Sequence, residues 1–314
     1  MNKEDLRIVY MGTPEFAVAP LKKLVEENYC IAGVITVADK PAGRGQKVRQ
    51  SPVKLYAESQ GLKILQPTNL KDEGFLSELK ALNANLQIVV AFRMLPEKVW
   101  KMPELGTFNL HASLLPNYRG AAPINWAIIN GEKYTGLTTF FLQQEIDTGN
   151  ILLQKKVRIE KEDDAGSLHD KLMLEGSQLV IETLKKLVQG DLQAIPQSEL
   201  QRDTESIKMA PKIFKEDCKI DFSKSASEVY DFIRGLSPYP AAYAKIRLQN
   251  GEEKSIKIFK TEMLPLNGEE ATIKQIGNKL VAFTRDAALS ILELQMEGKK
   301  KMGVEEFLRG NKIA

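Results

Sequence analysis

The chain has 314 residues, more than one hydrophobic core comfortably organises, so two domains are expected. Hydrophobic residues at 43% and charged residues at 27% give a soluble balance that excludes a disordered, collagen-like or coiled-coil chain. The net charge is +3, and residues 210–314 hold 18 Lys and Arg against 15 Asp and Glu, so the whole excess is C-terminal and hints mildly at an acidic partner.

The start, Met1-Asn2-Lys3-Glu4-Asp5, is too charged for a secretory leader. No stretch approaches the roughly 18 apolar residues of a membrane span, so a cytoplasmic protein without membrane contact is expected. Residues 7–11 form a short apolar run ending at Gly12 and are read as a buried strand. Thr13-Pro14 then offers an N-cap and a first-turn proline for a helix carrying Phe16, Leu21, Leu24 and Val25, with Pro20 expected to kink it. Residues 31–37 predict a strand, 75–82 a helix, and 86–92 a strand whose unbroken apolar character suits a parallel sheet. Further strands are read at 107–111, 137–143 and 151–159, with a helix at 124–130 stopped by Gly131. This alternation is the grammar of an α/β domain with a Rossmann-like, mostly parallel sheet.

A long helix is predicted over 167–189, opened by Ser167-x-x-Asp170 and ended at Gly190; it closes a first domain of residues 1–189. The polar segment 190–209 reads as a linker and 210–314 as a second domain. There Ser225-x-x-Glu228 caps a helix bearing Val229, Phe232, Ile233 and Leu236, which Ser237-Pro238-Tyr239-Pro240 breaks. Period-two patterns follow around Ala244, Ile246 and Leu248, Ile256 and Ile258, and Leu292, Leu294 and Met296, the signature of short antiparallel strands in a small barrel.

The two cysteines, Cys30 and Cys218, have no partner at metal-ligand spacing and are read as free thiols, and no metal site is expected. His111 stands out among only two histidines because Asn109 precedes it by two positions on a strand, which turns both side chains to one face. The strand end is where open α/β sheets bind ligands; the bland alternative is a core histidine with an amide partner. His169, on an amphipathic helix, reads as a surface or packing residue. Ser113-Leu114-Leu115-Pro116 opens a shaped loop whose backbone could line a flat ligand beside His111. Asp147-Thr148-Gly149 could bring in a carboxylate, or be an Asx-turn alone. Dinucleotide, Walker and nucleophile-elbow signatures are missing, which leaves Asn, His and Asp, a set suited to transfer at a carbonyl carbon.

Asn109-Leu110-His111-Ala112-Ser113-Leu114-Leu115-Pro116, Arg119-Gly120-Ala121-Ala122-Pro123 and Asp147-Thr148-Gly149 together resemble the folate-dependent formyltransferases. Asp39-Lys40-Pro41-Ala42-Gly43-Arg44-Gly45, followed by Ser51-Pro52-Val53-Lys54, resembles the branch of that family that acts on an aminoacylated tRNA. The resemblance implies transfer of the formyl group of 10-formyltetrahydrofolate to the amino group of methionine carried by initiator tRNA, without metal and without an obligate protein partner. It further implies Asn109 and His111 as oxyanion-holding residues, with Asp147 tuning the imidazole and assisting proton movement. Ser113, Leu114, Leu115 and Pro116 would border the folate. Lys40, Arg44, Lys47 and Arg49 would meet tRNA phosphates, with Lys54 beside them, and the second domain would be an OB-type barrel with a cationic face along the tRNA.

Two departures from the family pattern stand in the chain. Ala91-Phe92-Arg93-Met94 replaces an Ala-Tyr-Gly turn beside the expected pterin pocket, and Met209 replaces an aromatic before Ala210-Pro211-Lys212-Ile213. The rival readings are a formyltransferase for a sugar nucleotide or purine precursor, and a non-catalytic RNA-binding protein. The Arg44 loop and second domain speak against the first, and the intact Asn109, His111 and Asp147 against the second.

Overall fold

The computed structural model describes residues 1–42, 47–200 and 206–313. In chain order its strands and helices are β1 (Arg7–Gly12), α1 (Val18–Glu26), β2 (Cys30–Ile35), β3 (Lys40–Ala42), β4 (Lys47–Arg49), α2 (Pro52–Ser59), β5 (Ile64–Leu65), α3 (Glu73–Ala81), β6 (Leu86–Val90), α4 (Glu97–Trp100), β7 (Thr107–His111), β8 (Arg119–Gly120), α5 (Pro123–Ile129), β9 (Tyr134–Phe141), β10 (Ile151–Arg158) and α6 (Ala165–Gln189). Then come β11 (Met209–Ala210), α7 (Ala226–Leu236), β12 (Ala242–Arg247), β13 (Glu253–Leu264), β14 (Ile273–Ile276), β15 (Lys279–Phe283), β16 (Ala288–Met296), β17 (Met302–Gly303) and α8 (Val304–Gly310). They form two compact units. One comprises Met1–Gly120, Thr135–Val157 and His169–Met209; the other comprises Ala121–Tyr134, Arg158–Leu168 and Ala210–Ala314.

The first unit is built on a seven-stranded sheet of order β10-β9-β7-β6-β1-β2-β5. Strands β5, β2, β1, β6 and β7 run parallel, and β7 meets β9 antiparallel. The sheet is mostly parallel, as the apolar runs predict, and becomes mixed where β9 joins it. Every residue of β6 is buried, as its unbroken apolar character requires, and Ala91 at φ +46° turns the chain out of the sheet before Phe92. Val9, Met11, Ile35 and Val89 pack with Phe75 and Leu79 of α3 in one core. Burying each such side chain contributes about 1.5–3 kcal/mol.

Three local expectations are corrected. Thr13 does not cap α1: the chain enters that helix through a 3-10 turn, Glu15–Ala17, with Pro14 at its N-cap, and the buried Thr13 hydroxyl has no hydrogen-bond partner among the described residues. Pro20 sits in the first turn of α1, where it removes no ladder hydrogen bond, so it has no kinking role. The cap of α6 is Asp164: its Oδ1 accepts from the Ser167 N–H at 2.8 Å, and Ser167 Oγ accepts from the Asp164 N–H at 3.1 Å. Ser167 is thus the reciprocal partner, three residues inside the cap. Gly190, at φ +77°, ends α6 as expected, with its N–H on Leu187 O and the Asp191 N–H on Lys186 O, a Schellman closure.

The second unit carries a six-stranded antiparallel sheet of order β12-β13-β16-β15-β14, with β17 also paired to β16. Val229, Ile233 and Leu236 of α7 share its core with Ile246, Ile256, Ile258 and Leu294. Helix α5 belongs to this unit, with Asn125 Nδ2 donating to Gly235 O at 2.8 Å. The predicted cap is present: Ser225 Oγ accepts from the Glu228 N–H, and the Glu228 carboxylate accepts from the Ser225 N–H and hydroxyl. Ser225→Ala is expected to cost about 1 kcal/mol, read as a lower denaturation midpoint. Those bonds from Ser225 hold the Glu228 carboxyl below its ordinary range. The carboxylate's contribution is therefore full above the ordinary glutamate range and is lost as pH falls through the lowered value. The midpoint difference between Ser225→Ala and the parent chain should shrink correspondingly in acid.

Candidate active site

Strand β7 ends at His111, and its pairing with β9 sets Asn109 opposite Phe140 and His111 opposite Thr138. Asn109 is the half-buried position of an otherwise buried strand, and its amide makes no hydrogen bond among the described residues. Two residues on, the pleat turns His111 to the same face. The imidazole is only 7% exposed, lies edge-on to Phe140 with centroids 6.5 Å apart, and has Nε2 at 2.8 Å from Tyr118 O. A carbonyl can only accept, so Nε2 carries the proton and Nδ1 is the nitrogen left for chemistry. Asp147 Oδ2 lies 3.9 Å from that Nδ1. A proton arriving on Nδ1 thus finds a carboxylate close enough to offset its charge.

Asp147 is in a left-handed conformation, φ +54°, at the tip of the loop between β9 and β10. Its Oδ2 accepts from the Gly120 N–H at 3.0 Å, and its carbonyl accepts from Gln197 Nε2 at 2.8 Å. The same Gln197 nitrogen donates to Gly149 O at 2.9 Å, while Gln197 Oε1 accepts from Arg119 Nε at 3.1 Å and Nη2 at 2.5 Å. Gly149 has no alternative: a Cβ there would stand 1.6 Å from Phe141 O. Asp147, thirty-six residues after His111 in the chain, is thus brought beside it at the end of the strand that also carries Asn109, so its carboxylate does more than close a local turn.

The segment after β7 is shaped by its own hydrogen bonds. Ser113 Oγ donates to Asn117 O, Thr138 Oγ1 donates to Ser113 O and accepts from the Leu115 N–H, and Gln154 Nε2 donates to Leu115 O and Thr138 Oγ1. Ser113, Leu115 and Pro116 are buried and Leu114 is half-buried. With these polar groups satisfied internally, the segment presents a wall more than a set of donors. After β6, Arg93 donates to Thr68 O at 3.0 Å and to Pro67 O, and its guanidinium lies 5.7 Å from the Phe92 ring. The cation that replaces a glycine in the family pattern therefore braces the 67–68 turn.

Of the basic candidates, Lys40 and Arg49 are exposed at the open ends of the β3–β4 hairpin, where they face each other in register. Lys47 pairs with Ala42 through the backbone of that hairpin; Arg44 lies outside the described residues. Lys54 is engaged elsewhere, 2.5 Å from Asp39 Oδ2 and 3.6 Å from Glu58 Oε1. Hydrogen bonds from Lys54 and then Gln66 hold the Asp39 carboxyl below its ordinary range, and the Lys54 ammonium is correspondingly raised. Lys54 is a brace at the foot of the hairpin.

Sequence reasoning missed Tyr118, whose main-chain carbonyl selects the histidine tautomer, and Thr138 and Gln197. Thr138 could have been found as the residue opposite His111 once β7 and β9 were paired. Gln197 had no signal, because it lies in the polar stretch taken for a linker. His169 is a packing residue as expected, edge-on to Phe16 at 5.3 Å.

Residues 6–184 match the family model described as formyl transferase, and residues 212–312 match that of the formyl transferase C-terminal domain. Among similar proteins, the methionyl-tRNA formyltransferase of Flavobacterium johnsoniae is 56% identical over 314 residues, covering 98% of this chain and 96% of that protein. The methionyl-tRNA formyltransferase of Bacteroides fragilis is 54% identical over 313 residues, covering 99% and 96%. Among solved structures, WlaRD, a sugar 3N-formyl transferase crystallised in the presence of dTDP and 5-N-formyl-THF, shares the fold. It superposes with a TM-score of 0.65 at 21% identity, covering 94% of this chain and 99% of that one.

Proposed function

The chain belongs to the formyl transferase family, and from that premise we propose that it transfers the formyl group of 10-formyltetrahydrofolate to the α-amino group of methionyl initiator tRNA. The observation that carries the chemistry is the 3.9 Å approach of Asp147 Oδ2 to His111 Nδ1 at the end of β7, with the half-buried Asn109 two residues earlier on the same strand. The folate supplies the formyl carbon and, in its N10, a leaving nitrogen. The remaining work falls to the chain. The Asn109 amide donates to the oxygen on which charge develops. His111, with Nε2–H held by Tyr118 O, uses Nδ1 to take a proton from the attacking amine and to return one toward the departing nitrogen. Asp147, 3.9 Å away, offsets the charge while the proton is on the ring.

Ser113, Leu114, Leu115 and Pro116 form the wall on which the folate is seated, and no metal is needed in this scheme. Lys40, Arg44, Lys47 and Arg49 are the contacts to the acceptor end of the tRNA. We assign residues 1–189 to catalysis, 190–209 to a linker and 210–314 to tRNA binding, with the antiparallel sheet as an OB-type barrel. The reading places the protein in the cytoplasm, where initiator tRNA is used; no helix of the described residues is long and apolar enough to cross a membrane.

The test is formyl transfer to methionyl initiator tRNA, with methionyl elongator tRNA and an amino-sugar nucleotide alongside. Preferential turnover of the initiator is expected, and turnover of the sugar with neither tRNA would overturn the reading. Arg44→Ala is expected to raise KM for tRNA and flatten its salt dependence by about one phosphate contact, with folate binding unchanged.

A further inference from the structure

We propose that Gln197, in the segment between the long helix and the C-terminal sheet, is a positioning residue that sets the place of the Asp147 carboxylate beside His111. The inference rests on the reading of Asp147 given above. Gln197 is 4% exposed, and its amide is completely used: Nε2 donates to Asp147 O at 2.8 Å and Gly149 O at 2.9 Å, and Oε1 accepts twice from Arg119. Its place is itself determined. Ile195 exchanges two main-chain hydrogen bonds of 2.8 Å with Ile151, directly after the Asp147 loop, and Gln197 then opens a 3-10 turn that buries it.

The loop it holds needs such a tie. Asp147 is a non-glycine residue at φ +54°, a conformation that persists only where its surroundings over-determine it. One anchor is the Gly120 N–H on its carboxylate, and Gly120 follows Arg119, the residue Gln197 also grips. Gln197 therefore ties together the main chain under Asp147 and the strand that hydrogen-bonds its side chain. If that tie is lost, the carboxylate is free to leave the 3.9 Å approach to Nδ1. A carboxamide is required by this geometry, because a carboxylate in the same volume keeps Arg119 with one oxygen and sets the other against two carbonyls.

The test compares Gln197→Glu and Gln197→Ala in the parent chain and in Asp147→Asn. In the parent, both substitutions are expected to lower kcat by about 10- to 100-fold with KM for each substrate changed by less than about threefold. In Asp147→Asn the same substitutions are expected to cost less than about twofold more, since the residue they act through is already disabled. Equal fold losses in the two backgrounds, or an unchanged kcat in the parent, would overturn the proposal. Thermal unfolding of each variant identifies any that fail to fold, and Gln197→Glu, matched in size, serves if Gln197→Ala does so. An Asp147→Asn protein as active as the parent would overturn the reading of Asp147, and this proposal with it; a deficient Asp147→Asn with additive Gln197 losses overturns this proposal alone.

Discussion

His111→Ala is expected to lower kcat by about 10²- to 10⁴-fold while KM for tRNA stays within about threefold. The size follows from what the imidazole does in the site. It is 7% exposed, its Nε2–H is committed to Tyr118 O, and on the proposed mechanism its Nδ1, 3.9 Å from a carboxylate, carries the proton. Removing the ring takes away proton transfer and leaves only the Asn109 amide to favour the transition state. The tRNA, on this reading, is held by basic residues on the hairpin and in the C-terminal half, so its binding should not follow. Steady-state kinetics with varied tRNA, together with a thermal melt to exclude unfolding, decides the matter. A kcat close to the parent value would remove His111 from the mechanism, and a rise in KM with kcat preserved would make it a binding residue.

Gly149→Ala is expected to be the most damaging single methyl group in the catalytic loop. Its Cβ would lie 1.6 Å from Phe141 O, 2.8 Å from the Phe141 carbonyl carbon and 3.3 Å from the Phe140 ring, so main chain and not a flexible side-chain end must move. The cost should reach about 3 kcal/mol or more, at the upper end of overpacking, read as a lower denaturation midpoint. Activity should fall as well, because the Gly149 carbonyl is one of the two that Gln197 holds and the displaced loop carries Asp147. Gly190→Ala is the comparison. That glycine is left-handed at φ +77° but no atom of the described residues lies within 4 Å of its added Cβ, so only the conformational penalty of about 1–2 kcal/mol applies. Equal midpoints for the two variants would show that the close approach at Gly149 is relieved by small shifts.

The large elements were legible because local chemistry and burial agree in them. Strand β7 is found where alternation and apolar content place it, β6 where an unbroken apolar run demands two covered faces, and α7 where a capping box precedes a stripe of Val229, Ile233 and Leu236. Legibility failed at ends and caps. Thr13-Pro14 offered a good start signal, yet the chain took a 3-10 turn first, and Asp164 displaced Ser167 as the cap of α6. In both places more than one residue offers a start signal within one turn, and a local pattern does not rank them. Lys54 reads as a loop cation in the sequence, but a carboxylate fifteen positions earlier, Asp39, claims it.

The sequence by itself determined the alternating α/β order of the first half, the antiparallel character of the second, and the shared strand face of Asn109 and His111, whereas Asp147 entered as a catalytic candidate only through the family resemblance. Residue types and their periodicity encode those properties, since a polar pair two apart on a strand must share a face and a capping box must open a helix. Only the tertiary structure decided that Asp147 lies against Nδ1 and not Nε2, that Tyr118 supplies the carbonyl fixing the tautomer, and that Gln197 ties the loop in place. The last two run through main-chain carbonyls and the first is anchored by the Gly120 N–H, main-chain groups that carry no side-chain signature, so no side-chain pattern announces them before the chain is folded.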